Sequence, residues 1–121
     1  MNEVSLKDLF EIQKQNQKLM LSKGMYERQC SLEELPIDNV KLASYNVLQL
    51  VSELGEILDA DKRWKNFRNE KYDKESKAEE IADCFIVLMN IAMFSGIDAD
   101  DLVGGLVNKL NVVRNRIVNE K

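Results

Sequence analysis

Hydrophobic positions recur at helical spacing along most of the chain, and polar stretches with capping residues divide them into four long segments. The first opens on Ser5 with Asp8 three residues on, a pairing that satisfies the orphan amides of a helix start. It runs to about Ser22, ahead of Gly24, with Leu6, Leu9, Phe10, Met20 and Leu21 as its apolar positions. The connector holds another capping box, Ser31 with Glu34, and room for a short helix before Pro36 and Asp38. The spacing predicts a second long helix from about Asn39 to Trp64, its inward stripe being Val47, Leu50, Val51, Leu54, Ile57 and Leu58. A polar linker, 69–75, follows. Ser76 with Glu79 caps the third helix, which from Cys84 to Phe94 carries a single polar residue, Asn90. A helix apolar on every side must be covered on every side. One small bundle does that poorly, so this run predicts an oligomer interface. Gly96 suits a helix C-cap. Asp98 with Asp101 opens the fourth helix, which reaches about Asn119 with Leu102, Leu106, Val113 and Ile117 facing the core. Gly104 and Gly105 each weaken that helix by up to ~1 kcal/mol, and close packing against another backbone is the expectation they raise. The expected fold is an all-α four-helix bundle, with residues 1–121 forming one domain.

Composition narrows the classes. A 121-residue chain with 45% hydrophobic and 31% charged residues suits one soluble globular domain. Met1–Ser5 shows no signal-peptide pattern, and no apolar run reaches the roughly 18 residues of a membrane span. A cytoplasmic protein with no membrane partner is expected, with Cys30 and Cys84 as reduced thiols. A net charge of −4 argues against a nucleic-acid binder. Histidine is absent. That removes Ser-His-Asp and Cys-His nucleophiles, histidine zinc sites and Glu-x-x-His di-iron bundles. Oxygen ligands remain, and these favour magnesium, manganese or calcium.

The candidate chemistry lies in two acidic pairs, Glu53-x-x-Glu56 and Glu80-x-x-Asp83, each on one helix face. Glu53 and Glu56 flank the apolar stripe and so point toward a neighbouring helix. Four converging carboxylates repel one another unless a hard cation lies among them. Asp83 leads straight into the apolar run, where an unpaired charge is costly; Asn90, seven residues on, falls almost on its face and is placed to line a polar cavity. Between the pairs stands a basic, aromatic stretch, Arg63-Trp64-Lys65-Asn66-Phe67-Arg68. The run Gln13–Lys18 reads either as a solvated helix face or as one or two amides turned to a ligand.

Glu53-Leu54-Gly55-Glu56 followed by Glu79-Glu80-Ile81-Ala82-Asp83 resembles the E-x-x-E … E-x-x-D signature of the all-α nucleoside triphosphate pyrophosphohydrolases. That superfamily holds the MazG-type enzymes and the dimeric dUTPases. Ala82-Asp83, Asn90-Ile91-Ala92 and Gly96-Ile97-Asp98 resemble the MazG branch. Trp64-Lys65-Asn66-Phe67 is similar to the Phe-Lys-x-Trp element of dimeric dUTPases with the aromatics exchanged, and Gln13 sits where those enzymes carry a first-helix glutamine. Lys109 and Arg116 fit the family's Lys-x-x-x-Asn-x-x-Arg pattern, but Val113 stands in the asparagine slot, a departure that touches a sugar or base contact.

The resemblance implies magnesium-dependent hydrolysis, with manganese as a substitute, of a (deoxy)nucleoside triphosphate to the monophosphate and pyrophosphate. It implies a homodimer or homotetramer that cleans or controls a nucleotide pool. Glu53, Glu56, Glu80 and Asp83 would hold the metal, and Glu53 or Glu56 would accept a proton from the attacking water. Lys65, Lys109 and Arg116 would hold the leaving pyrophosphate; Trp64 or Phe67 would stack on the base; Gln13 and Asn90 complete the binding set. Two other readings stand beside this one. One is a non-catalytic nucleotide-binding or protein-interaction module, and the other a pyrophosphohydrolase acting on a phosphoribosyl nucleotide.

Overall fold

The computed structural model describes residues 3–24, 38–67 and 72–120, without the side chains of Asn66 and Phe67. Ser31, Glu34, Pro36 and Cys30 lie outside that set, as do the first linker positions up to residue 71. The described residues form four α-helices and no strand: α1 (Leu6–Ser22), α2 (Val40–Ala60), α3 (Lys74–Phe94) and α4 (Ala99–Asn119). Between α2 and α3 lies a 3₁₀ helix, Lys62–Phe67.

Side chains set most of the ends. The Ser5 hydroxyl accepts the Asp8 amide at 3.1 Å, and the Ser5 amide donates back to Asp8 at 3.0 Å. Asp98 and Asp101 repeat this box at the start of α4. Two boundaries differ from expectation. The start of α3 is capped by Asp73, whose carboxylate accepts the Glu75 and Ser76 amides, so the helix begins before Ser76. The end of α2 falls at Ala60 rather than Trp64, because Asp61 turns extended and its carboxylate accepts the Arg63 amide at 3.2 Å. An Asp bonded to the amide two residues on makes a turn that competes with the helix.

The most extensive packing joins α2 to α3 as an antiparallel pair. At one end the Asn39 amide donates to the Phe94 carbonyl at 2.7 Å; at the other Lys77 reaches Asp61. The apolar core sits where α1 crosses the C-terminal half of α3, with Phe10 against Met89, Ala92, Met93 and Ala99, and Leu102 beside them. Leu42 and Phe94 form a second cluster with Leu21 and Ala43. Each fully buried large side chain contributes roughly 1.5–3 kcal/mol.

Both outer stripes depart from their expected orientation. Val47, Val51, Leu54 and Leu58 of α2 are exposed, Val51 at 65%. Of the α4 stripe, Leu102 reaches the core while Leu106, Val113 and Ile117 are exposed. Leu42 and Asn46 face inward from α2 instead. Phe85 and Leu88 of α3 are exposed too, so the all-round apolar helix is covered on one side only.

Amides fill the inner seam. The Asn90 carbonyl accepts Gln13 at 2.8 Å and Gln17 at 2.9 Å, and its NH₂ donates to Asn46 at 3.2 Å. Asn46 donates on to the Leu42 carbonyl at 2.8 Å. This network pins α1, α2 and α3 to one another at a single residue. Asn90→Ala leaves Gln13, Gln17 and Asn46 short of partners, and its expected cost in urea denaturation is about 3 kcal/mol. Asn16→Ala, on the exposed edge, is expected to cost less than about 0.5 kcal/mol in the same assay.

Candidate metal centre

Glu53 on α2 meets Glu80 and Asp83 on α3, and one carboxylate oxygen from each lies within 4.8 Å of the others. Glu80 and Asp83 share a face because they are three residues apart. Glu53 and Glu80 are half-buried. Glu56, the fourth expected acid, is exposed and stands outside this triad, although its charge still acts on Glu80.

No cation among the described residues pairs with these acids. Among the described residues the ion pairs are Lys7–Asp100, Arg63–Asp61 and Lys77–Asp61, none of which involves the triad. Partial desolvation, then the charges of Asp83, Glu56, Glu53 and Glu79, push the Glu80 carboxyl above its ordinary range. Cys84, a buried free thiol, is pushed up by burial first and then by Glu53, Asp83 and Glu80. Three half-facing carboxylates with uncompensated charge and no nitrogen or sulfur donor in the set suit a hard divalent ion such as magnesium or manganese.

Two polar cross-links bracket the triad. Asn46 and Asn90 bond two helical turns toward the closed end of the pair. Toward the other end Asp61, 7% exposed, accepts Arg63 through Nε at 2.8 Å and Nη2 at 2.7 Å, and Lys77 at 2.9 Å. The Arg63 guanidinium also lies 3.7 Å from the centre of the Tyr72 ring. Hydrogen bonds from Arg63 and then Lys77 hold the Asp61 carboxyl well below the usual carboxylate range.

The remaining expected site residues fall in three places. Trp64 and Lys65 are exposed on the 3₁₀ helix, with the indole N–H donating to the Leu58 carbonyl at 3.0 Å. Phe67 ends that helix, its side chain outside the described set. Gln13 and Asn90 are buried in the amide network; Gln13 also borders an apolar groove of about 380 Å³ between α1 and α3, with Leu9, Ile12, Asn16, Phe85 and Ile86. Lys109 and Arg116 are exposed on α4, which packs chiefly on α1 rather than on the acid-bearing pair. Sequence reasoning missed Asp61, Lys77, Asn46 and Gln17. The Asp-x-Arg spacing after Ala60 is a turn signal that was open to view; Lys77 and Asn46 needed the register of α2 on α3, and Gln17 the placement of α1 against Asn90.

A family model described as dUTPase matches residues 5–119 of the chain. No curated protein and no solved structure matches it. No helix among the described residues is long and apolar enough to cross a membrane.

The raised Glu80 carboxyl fixes a sign. A carboxyl whose folded pKa lies above its unfolded value contributes stability below the unfolded pKa and loses it as pH rises through the folded one. Glu80→Gln should therefore raise the melting temperature of the metal-free protein at pH 7, with the gain shrinking as pH falls toward about 4. Manganese should stabilise the wild type more than the variant. A variant that melts no higher than wild type at pH 7 would show that the acids do not strain the fold.

Proposed function

The chain belongs to the dUTPase family of all-α, MazG-like nucleotide hydrolases, and we propose that it cleaves a (deoxy)nucleoside triphosphate to the monophosphate and pyrophosphate with a divalent ion, magnesium first. One observation carries this reading: three carboxylates from two helices gathered within 4.8 Å with no paired cation among the described residues, inside a chain matching that family over 5–119. Deoxyuridine triphosphate is the first nucleotide to test, from the family's description.

Glu53, Glu80 and Asp83 hold the ion. When bound, the ion supplies charge neutralisation for the triphosphate and polarises its phosphates. Glu56, exposed beside the triad, is the group that accepts the proton of the attacking water. Lys65 is free in solvent to meet the leaving pyrophosphate, and the open face of Trp64, 58% exposed, offers a surface for the base. Gln13 and Asn90 act from beneath, holding α1 against the pair. Phe67 stays a candidate for the base.

A second copy of the chain completes the molecule. Val47, Val51, Leu54 and Leu58 on α2, and Leu106, Leu110, Val113 and Ile117 on α4, follow the alternating three- and four-residue spacing of helices that pair. Lys109, Arg114 and Arg116 line α4 while Glu53, Glu56 and Asp59 line α2, so charge favours α4 of one copy against α2 of another. That pairing carries Lys109 and Arg116 toward the triphosphate.

Three measurements follow from this reading. Purified protein with magnesium should release pyrophosphate from deoxyuridine triphosphate or another nucleotide of a full panel, and silence across the panel would favour a non-catalytic module. Glu53→Gln and Asp83→Asn should each lower turnover by at least about 100-fold with helical circular dichroism unchanged. Light scattering should give a dimer or tetramer that Leu110→Asp, at a position 67% exposed in one chain, converts to monomer; a monomeric wild type would count against the shared interface.

A further inference from the structure

Lys77 precedes Glu80 by three residues on α3, the spacing at which a lysine and a glutamate of one helix pair with each other. That pair is not made. The Lys77 ammonium lies across the α2–α3 seam, 2.9 Å from Asp61 Oδ2. Arg63 takes the same carboxylate through two hydrogen bonds, and both cations share the Tyr72 ring, at 3.7 and 5.4 Å from its centre. One buried anion thus holds two cations, while beside it Glu80 and Asp83 of α3 and Glu53 of α2 pair with no cation among the described residues. Opposite charge excesses stand side by side and unmixed. Were Lys77 to swing onto Glu80, it would cancel part of the charge that draws a divalent ion.

We propose that Asp61 is a positioning residue that sequesters Lys77, with Arg63, away from Glu53, Glu80 and Asp83, and so keeps the triad open to a divalent cation. The inference rests on the metal-binding reading of the triad. It separates two roles that the Asp61 clamp can have. As a mechanical tie between α2 and α3, the clamp needs both Asp61 and Lys77. As a sink for positive charge, Asp61 is needed only while Lys77 is present.

Calorimetric titration of manganese into the metal-free full chain distinguishes them. Asp61→Asn keeps the side-chain volume and the acceptor for the Arg63 amide while discarding the charge. It should weaken manganese binding by up to about fivefold, the limit for the ion pair that a freed Lys77 makes at a partly exposed acid. Lys77→Met alone should leave the affinity at the wild-type value or above it. The double variant, Asp61→Asn with Lys77→Met, should return to the wild-type affinity within about twofold. A double variant as weak as Asp61→Asn, or a Lys77→Met variant that loses affinity by itself, would establish the mechanical tie and overturn the proposal. Unchanged affinity in Asp61→Asn overturns it as well.

Ser76→Lys provides a test that leaves the clamp intact, so it stays decisive even if Asp61→Asn does not fold. It sets an ammonium four residues before Glu80 while Asp61 is already occupied by Arg63 and Lys77, and should weaken manganese binding by about as much as a helix pair at that spacing permits, roughly 1.5- to twofold. No loss in that variant would sink the idea. A wild-type chain that takes up no manganese would overturn the metal reading itself, a result distinct from either of these.

Discussion

Three carboxylates held together with no paired cation among the described residues are the constraint around which the α2–α3 pair is built. Left to themselves Glu53, Glu80 and Asp83 would part the helices, since each gains by moving toward water and away from the others. Something else has to help close the pair at that level, where apolar burial on α3 is limited to Cys84 and Val87. The two buried clusters lie with α1 and the C-terminal half of α3, around Phe10, Met93 and Phe94. Along the acidic stretch the fixings are directional instead: Asn46 to Asn90 on one side, Asp61 to Lys77 on the other.

Directional fixings suit the task. Burying large apolar side chains around the acids would raise the cost of charging them, and would leave a site that held protons rather than a cation. Hydrogen bonds hold the register between α2 and α3 while letting water and ligand reach the carboxylates. A slip of one residue along either helix would turn a carboxylate by about 100°, so register decides whether there is a site at all. Asn90 is the central fixing. It joins the pair to α1 through Gln13 and Gln17, which makes the placement of α1 and the spacing of the acids parts of one network.

Helix order, the capping boxes at Ser5 and Asp98, and the pairing of Glu80 with Asp83 on one face were legible in the sequence because each depends on spacing within one helix. Glu80 and Asp83 share a face wherever the helix goes. What Glu53 meets was readable only through family resemblance, since it depends on two helices at once. The break at Asp61 was lost because the apolar period of α2 runs smoothly into Trp64, and one turn-forming carboxylate outweighs that period locally. The glutamines were ambiguous for a different reason: Gln13 and Gln17 look like solvent-facing residues until the partner that satisfies them, Asn90, is brought across from a distant position in the chain.

The outward stripes carry the remaining lesson. Periodicity identifies that a helix has an apolar face; it does not identify what covers it. In α2 the two faces can be separated by helical geometry alone. Leu42, Asn46, Glu53 and Ile57 fall on the side turned to α3, whereas Val47, Val51, Leu54 and Leu58 form a stripe whose centre lies about 120° around the helix. A helix from a second copy laid on the outer stripe would therefore cover apolar surface without filling the space among the acids. The same geometry would let one helix serve two ends: its inner face fixes the carboxylates, and its outer face would supply adhesion in the proposed assembly of copies. An α2 gripped from outside would be harder to bend away from α3, so association and the spacing of the acids would be linked through the stiffness of this one helix.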